Sequence, residues 1–244
     1  MGFMDTSKPQ HTRRLSAVLL LSMAAPAGAM TPHPQDPWES YNRKVFAFNE
    51  FLDDYLLRPV AKGYRAVTPE VVDRSVTNFF GNLGDVVTLA NNILQLKHHE
   101  AAATASRIMF NSTWGIGGLF DVATAFDISV DKEDFGQTLS YWGVPQGNYL
   151  MLPFLGPGTV TDTIGRIPDS YADPVGYLFP EPEKYFASAT RIVDKRADVI
   201  PAENLIQGDR YTFVRNAYLQ QREFLINDGK VEDPFTSDDF DEDY

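Results

Sequence analysis

The sequence predicts an all-α fold, built as a single irregular multi-helix domain. Two observations carry that expectation. Apolar residues recur at intervals of three and four along most of the chain, and the apolar–polar alternation of a half-buried strand is nearly absent. A third observation supplies the boundaries, because prolines and glycines stand at the edges of the periodic segments rather than throughout them.

The N-terminal 29 residues have the layout of an export signal. Lys8, Arg13 and Arg14 form a basic start, Leu15 to Ala25 an apolar stretch, and Ala27-Gly28-Ala29 the small residues of a cleavage site. The apolar run is shorter than the roughly 20 residues needed to span a bilayer. Residues 30–37 follow as a proline-rich linker that reads as extended and structureless, with Pro32, Pro34 and Pro37.

Trp38 to Leu57 reads as an amphipathic helix with Trp38, Tyr41, Val45, Phe48, Leu52, Tyr55 and Leu56 at helical spacing, ended or kinked at Arg58-Pro59. Thr68-Pro69 opens a second helix, which reads as interrupted at Gly81-Asn82. Asp85 to Lys97 is the next piece, with Val86, Leu89, Ile93 and Leu96 on one face, followed by Glu100 to Trp114. Gly115-Ile116-Gly117-Gly118 is a tight turn between apolar helices, the second covering Leu119 to Phe126. Glu133 to Tyr141 is a short helix, Gln146 to Pro157 loop or short extended chain, and Gly158 to Arg166 a further helix. Pro182 to Ile200 and Pro201 to Asp228 complete a set of about eight helices, the last with Tyr211, Val214, Tyr218 and Leu225 on one face. The helical domain thus spans residues 38–230, and residues 231–244 form an acidic tail that reads as solvated disorder.

Charge and composition exclude several functions. Removing the leader's three bases and one acid from the chain's 21 and 33 leaves 18 against 32. Such a balance argues against nucleic acid as a partner, because phosphates need a basic surface. The sequence holds no cysteine, which removes disulfides, thiolate metal sites, a cysteine nucleophile and a lipoprotein acylation site. Nucleophile-elbow, phosphate-loop and zinc-protease motifs are absent. His98-His99-Glu100 reads as a polar helix boundary rather than a metal site, since neighbours on a helix point about 100° apart. No metal, no cofactor and no catalytic residue is expected.

Glu133 to Thr138 concentrates polar groups beside Phe135, and Asp134, Phe135, Gly136 and Gln137 read as a structural motif of helix capping and hydrogen bonding. The glycine turn reads as close helix packing or as a hinge. The aromatic helix is more informative. Phe46, Phe48 and Phe51 span most of its circumference, so one face cannot bury all three. Some must meet lipid or a partner protein.

These segments are recognisable as a series. Asp36-Pro37-Trp38-Glu39-Ser40-Tyr41-Asn42-Arg43, Phe46-Ala47-Phe48-Asn49, Arg58-Pro59-Val60-Ala61 and Asn78-Phe79-Phe80-Gly81-Asn82-Leu83 resemble the VacJ/MlaA family. So do Asn91-Asn92-Ile93-Leu94-Gln95, Arg107 to Thr113, Gly115 to Asp121, Glu133 to Leu139, Trp142-Gly143-Val144, Gly147-Asn148-Tyr149, Leu152 to Pro157 and Val214 to Tyr218. The resemblance covers about Asp36 to Lys230 in order. It implies a ring-like helical protein in the inner leaflet of the outer membrane, beside a trimeric porin. It implies an amphipathic channel that passes mislocalised phospholipid to a periplasmic lipid-carrier protein, with no enzymatic step. Carried onto this chain, Trp38, Phe46, Phe48, Asn49 and Phe51 are candidates for the lipid channel or belt. Gly115, Gly117 and Gly118 are candidates for a hairpin that gates it. Many family members carry an acylated cysteine that this chain lacks, so retention by the porin and by an apolar belt is the expectation. The alternative is a porin-associated structural envelope protein without a channel.

Overall fold

The computed structural model describes residues 33–230, with the side chains of residues 204 and 205 left aside. The expected leader and the acidic tail lie outside the described residues. Those described are helical almost throughout, with one two-stranded hairpin.

The aromatic helix runs as α1 (Glu39–Leu52), a five-residue π segment (Asp53–Leu57) and α2 (Arg58–Val67) without a break. The expected stop at Arg58-Pro59 is therefore corrected. A proline in a regular helix lacks an N–H and clashes with the carbonyl four residues back. Here the chain widens by one residue before Pro59, and the Arg58 N–H reaches the Asp53 carbonyl. Arg196 holds that segment in place through two bonds to Asp53, of 2.6 and 2.7 Å.

The interruption expected at Gly81-Asn82 is also absent, because α3 (Glu70–Leu94) is a single 25-residue helix. α4 (His98–Thr113) folds back against it. Glycine costs only about 0.5–1 kcal/mol in a helix interior, and the long pairing with α4 outweighs it. α5 (Val122–Ala125) and α6 (Phe135–Tyr141) follow, each capped by an aspartate at the position before it. The segment read as loop or extended chain forms β1 (Tyr149–Leu152), antiparallel to β2 (Gly156–Thr159), with Tyr149 opposite Thr159 and Leu152 opposite Gly156. α7 (Val160–Ala172) begins two residues later than expected and runs on through Pro168. Thr159 and Asp162 cap it reciprocally, each side chain accepting the other's backbone N–H, at 3.1 and 3.2 Å.

α8 (Val175–Leu178) had no counterpart in the sequence reading. α9 (Glu183–Val199) matches it. The helix expected to open at Pro201 is a 3₁₀ turn (Ile200–Leu205), and α10 (Arg210–Ile226) starts only after Gly208 and the capping Asp209.

α3 packs on α4, α6 on α7, α2 on α9 and α1 on β1. Two small apolar clusters lie among these contacts. One joins Phe80, Leu83 and Val175, and the other Tyr149, Met151 and Tyr211, with Phe46 and Val45 against it. The α6–α7 crossing is the tightest. A Cβ on Gly165 would stand 2.5 Å from the Gly136 nitrogen and 2.9 Å from its Cα, both backbone atoms. Gly165→Ala will therefore cost about 2–3 kcal/mol in chemical unfolding, as overpacking does. Gly81→Ala, with nothing within 4 Å, will be neutral or stabilising.

The described part of the linker, residues 33–37, is not structureless. The Asp36 N–H closes a turn onto the His33 carbonyl at 2.8 Å, and the Gln35 carbonyl accepts the Tyr149 N–H at 2.7 Å. Residues 33–37 are a strap bonded to the start of β1 through Gln35.

Candidate functional site

Polarity in this protein is distributed in the reverse of a water-soluble core. Among the described residues, buried polar and charged side chains outnumber buried apolar ones about two to one. Large apolar side chains crowd the outside, among them Trp38, Phe48, Phe51, Tyr55, Trp114, Phe126, Tyr171 and Phe186.

α3 supplies most of the polar interior. Asn82, Asp85, Thr88, Asn92 and Gln95 follow one another at intervals of three and four and are all buried. Asn82 donates to Ser112 at 3.1 Å, Asn92 to Thr104 at 3.2 Å, and Gln95 to Glu133 and Thr138 at 2.9 and 3.0 Å. Asp85 pairs with Lys132 and lies 3.5 Å from Arg107. A helix seam of hydrogen bonds rather than leucines is what an apolar surrounding permits, because there apolar packing between helices has little driving force.

The aromatic helix divides as its periodicity requires. Phe46 turns inward, with its ring centroid 5.6 Å from that of Tyr211, whereas Trp38, Phe48 and Phe51 are exposed. Asn49 is turned to the hairpin. Its amide donates to the Leu152 carbonyl and accepts the Phe154 N–H, both at 2.9 Å. Two turns earlier, Asn42 donates to the Tyr149 carbonyl at 3.2 Å and accepts the Met151 N–H at 2.8 Å. Two side-chain amides on α1 thus replace a third strand along β1 and satisfy an edge that would otherwise be unpaired.

Gly115, Gly117 and Gly118 are not equivalent. A Cβ on Gly115 would strike the carbonyl oxygens of Phe120 and Asn111, and one on Gly118 would meet Asn82 at 2.9 Å. Gly117, with φ +69°, faces open space. The base of the turn is held by Asn111, which donates to Asp121 at 3.1 Å and accepts the Ala123 N–H at 2.9 Å. Arg107 adds bonds to Asp121 and to the Ile128 carbonyl. The tip at Ile116 and Gly117 is exposed, while the root is fixed.

The third group of candidates meets α10. Asp134 caps α6 through the Gln137 N–H at 2.8 Å and grips Arg222 with bonds of 2.6 and 2.8 Å. Arg222 also pairs with Asp162, which accepts the Tyr218 hydroxyl. Gly136 makes the room, since a Cβ there would stand 2.5 Å from the guanidinium. Phe135 turns edge-on to Trp142 at 5.8 Å, and its N–H donates to Asp169. Burial pushes the Asp134 carboxyl up, but Arg222 outweighs it and holds the group below its usual range. Burial pushes Asp169 up. A pocket of about 250 Å³ opens here. Its wall carries these carboxylates, Arg166 and Arg222, with no serine, threonine, cysteine or lysine nucleophile.

The sequence reading missed the buried Arg215 and Arg222, which share one face of α10 with Tyr211 and Tyr218. It also missed Asp36, fully buried, which accepts from Asn42 at 2.8 Å, Tyr211 at 2.5 Å and Arg215 at 3.1 Å. The signal was present: positions 211, 215, 218 and 222 repeat at helical spacing. Among the described residues no three metal-type ligands converge, and no helix is long and apolar enough to cross a membrane.

Comparison with known proteins places this architecture. The model of the MlaA lipoprotein family matches residues 34–225. A Rickettsia bellii protein is 36% identical over 195 residues, 78% of this chain and 76% of its own length. The intermembrane phospholipid transport system lipoprotein MlaA of Escherichia coli K12 is 31% identical over 228 residues, 89% of this chain and 90% of its own. A solved structure reported as the "Structural basis for maintenance of bacterial outer membrane lipid asymmetry" superposes with a TM-score of 0.65 at 30% identity, covering 79% of this chain and 99% of that one. By the extent of these matches and the fold they share, the chain belongs to the MlaA lipoprotein family.

Proposed function

We propose that this protein is the outer-membrane component of a phospholipid transport system. It offers mislocalised outer-leaflet phospholipid an amphipathic path to a periplasmic carrier, and sits beside a trimeric porin in the inner leaflet. The observation that carries this reading is the reversed polarity. A buried polar seam along α3 and an apolar exterior together suit a protein bathed in lipid that must pass charged headgroups. Support comes from the E. coli relative, whose name assigns it to intermembrane phospholipid transport. The protein performs no covalent chemistry. Its apolar belt and the porin hold it at the membrane.

The test is outer-leaflet phospholipid content in cells lacking the gene, complemented with the parent or with Phe48→Asp/Phe51→Asp. Both positions are exposed, so the double variant leaves the core intact. Phe46, packed on Tyr211, is unsuitable for this purpose. Outer-leaflet phospholipid is expected to rise on deletion, to fall with the parent and to stay high with the variant at equal protein level. Unchanged asymmetry on deletion would leave the structural, porin-associated reading in its place.

A further inference from the structure

The pocket between α6, α7 and α10 carries five charged side chains, and they do not all pair. Asp134 and Asp162 share Arg222. Two charges are left over, both on α7. Arg166 donates to the Leu155 and Pro157 carbonyls at 3.2 and 2.8 Å, and among the described residues no carboxylate stands within ion-pair distance of it. A guanidinium presents five N–H donors in a fixed fork, so about three remain. Asp169 accepts the Phe135 N–H and the Asn91 amide, each at 3.0 Å, and among the described residues no cation stands within ion-pair distance of it. Burial pushes its carboxyl up, as befits an anion without a counter-charge.

Opposite charges in one wall would ordinarily close on each other. Here separate anchors hold them apart. Arg166 is tied to the hairpin, and Asp169 to α3 and to the start of α6. The two stand three residues apart on one face of α7, about 4.5 Å along its axis. Groups fixed in this way are preorganised for a ligand that satisfies both.

The cavity sets the size of that ligand. Its volume of about 250 Å³ is below the roughly 300–1,000 Å³ of pockets for drug-sized molecules. Leu225 is the one aliphatic side chain in its wall. The occupant is therefore small, with an anionic end, a cationic end and a short hydrocarbon bridge.

We propose that this pocket binds a small zwitterion, Arg166 taking a phosphate and Asp169 an ammonium two carbons away, the chemistry of ethanolamine phosphate. The guanidinium fork matches phosphate oxygens, and an ammonium brings N–H donors to the carboxylate. The same chemistry arrives either free in solution or as a phospholipid headgroup. The proposal draws on the charges of the wall and does not need the chain to transport anything.

The first arm of the test is calorimetric titration of the purified chain with ethanolamine phosphate, phosphocholine, ethanolamine and inorganic phosphate. The second is flotation with phosphatidylcholine vesicles, with and without phosphatidylethanolamine. The ethanolamine form should be preferred to the choline form by about tenfold or more, because the choline nitrogen has no N–H to donate. In Asp169→Asn, which keeps an acceptor for the Phe135 N–H, that preference should vanish. In Arg166→Gln the phosphate should cease to matter, so that ethanolamine binds as well as its phosphate, and Arg166→Lys should restore part of the difference. Preference in the titration identifies a soluble ligand, and preference in the vesicles alone identifies a headgroup. No ethanolamine preference in either arm overturns the proposal. So does a preference that survives Asp169→Asn in a chain with the parent's thermal midpoint, or inorganic phosphate binding as tightly as ethanolamine phosphate. If the preference holds yet deletion leaves asymmetry unchanged, the transport reading falls and this one stands.

Discussion

Asp36→Ala will lower stability by about 3–5 kcal/mol, the range for removing one partner of a buried ion pair. The carboxylate is fully buried, and Arg215 beside it is nearly so, at 7% side-chain exposure. Without Asp36 the guanidinium keeps one distant anion, Glu39 at 3.6 Å, and the Tyr211 hydroxyl and Asn42 amide each lose an acceptor. Stability of small proteins is about 5–15 kcal/mol in all, so the loss should be visible as a sharply lower urea midpoint. Asp36→Asn, which keeps an acceptor, should recover part of it. A loss under about 1 kcal/mol for the alanine variant would show that Glu39 replaces Asp36, and the strap would then be dispensable.

Arg222→Met will have an effect of similar size and an opposite dependence on pH. In the parent, Arg222 holds the Asp134 carboxyl below its usual range. That contribution is present above the unfolded value of 3.8 and is lost as the pH falls through the folded one. Removing the cation leaves the buried Asp162 unpaired beside the half-buried Asp134 and close to Asp169. Desolvation, no longer outweighed by Arg222, then raises the folded value of Asp134. A raised carboxylate contributes stability only in acid, and loses it as the pH rises through the folded value. The variant should therefore be about 3–5 kcal/mol weaker at neutral pH and should recover on mild acidification, where the parent is unchanged. Thermal midpoints across that range measure it, and parallel curves for the two proteins would be the contrary result.

The elements most legible in the sequence were those held by local signals. α1 followed from its spacing of aromatics, and α9 was read between Pro182 and Pro201. What was illegible was set by contacts between distant segments. Pro59 reads as a stop unless a π turn shifts the register ahead of it, and that turn is held by Arg196, 143 residues away. Gly81 reads as a break unless α4 lies alongside. Asp209 rather than Pro201 opens α10, although Gly208-Asp209 is an equally good local signal. Among the candidates, Phe48 and Phe51 stand where the circumference argument left them, outside. The bonds of Asn49 to the hairpin were not legible, because their partners lie more than 100 residues away. Arg215 and Arg222 were passed over because arginine is rarely buried unless paired, and their partners lie in other helices.

The strap at Asp36 also fixes an order of events. Its partners Tyr211 and Arg215 are 175 and 179 residues further along, in the final helix described. Contacts so distant in sequence form late, because the loop between them must close first. Asp36 therefore waits for partners some 175 residues further along to be synthesised. Until α10 arrives, Asp36 has no cation and the interior no finished wall, so the emerging chain stays an open intermediate that a chaperone can hold and a protease can reach.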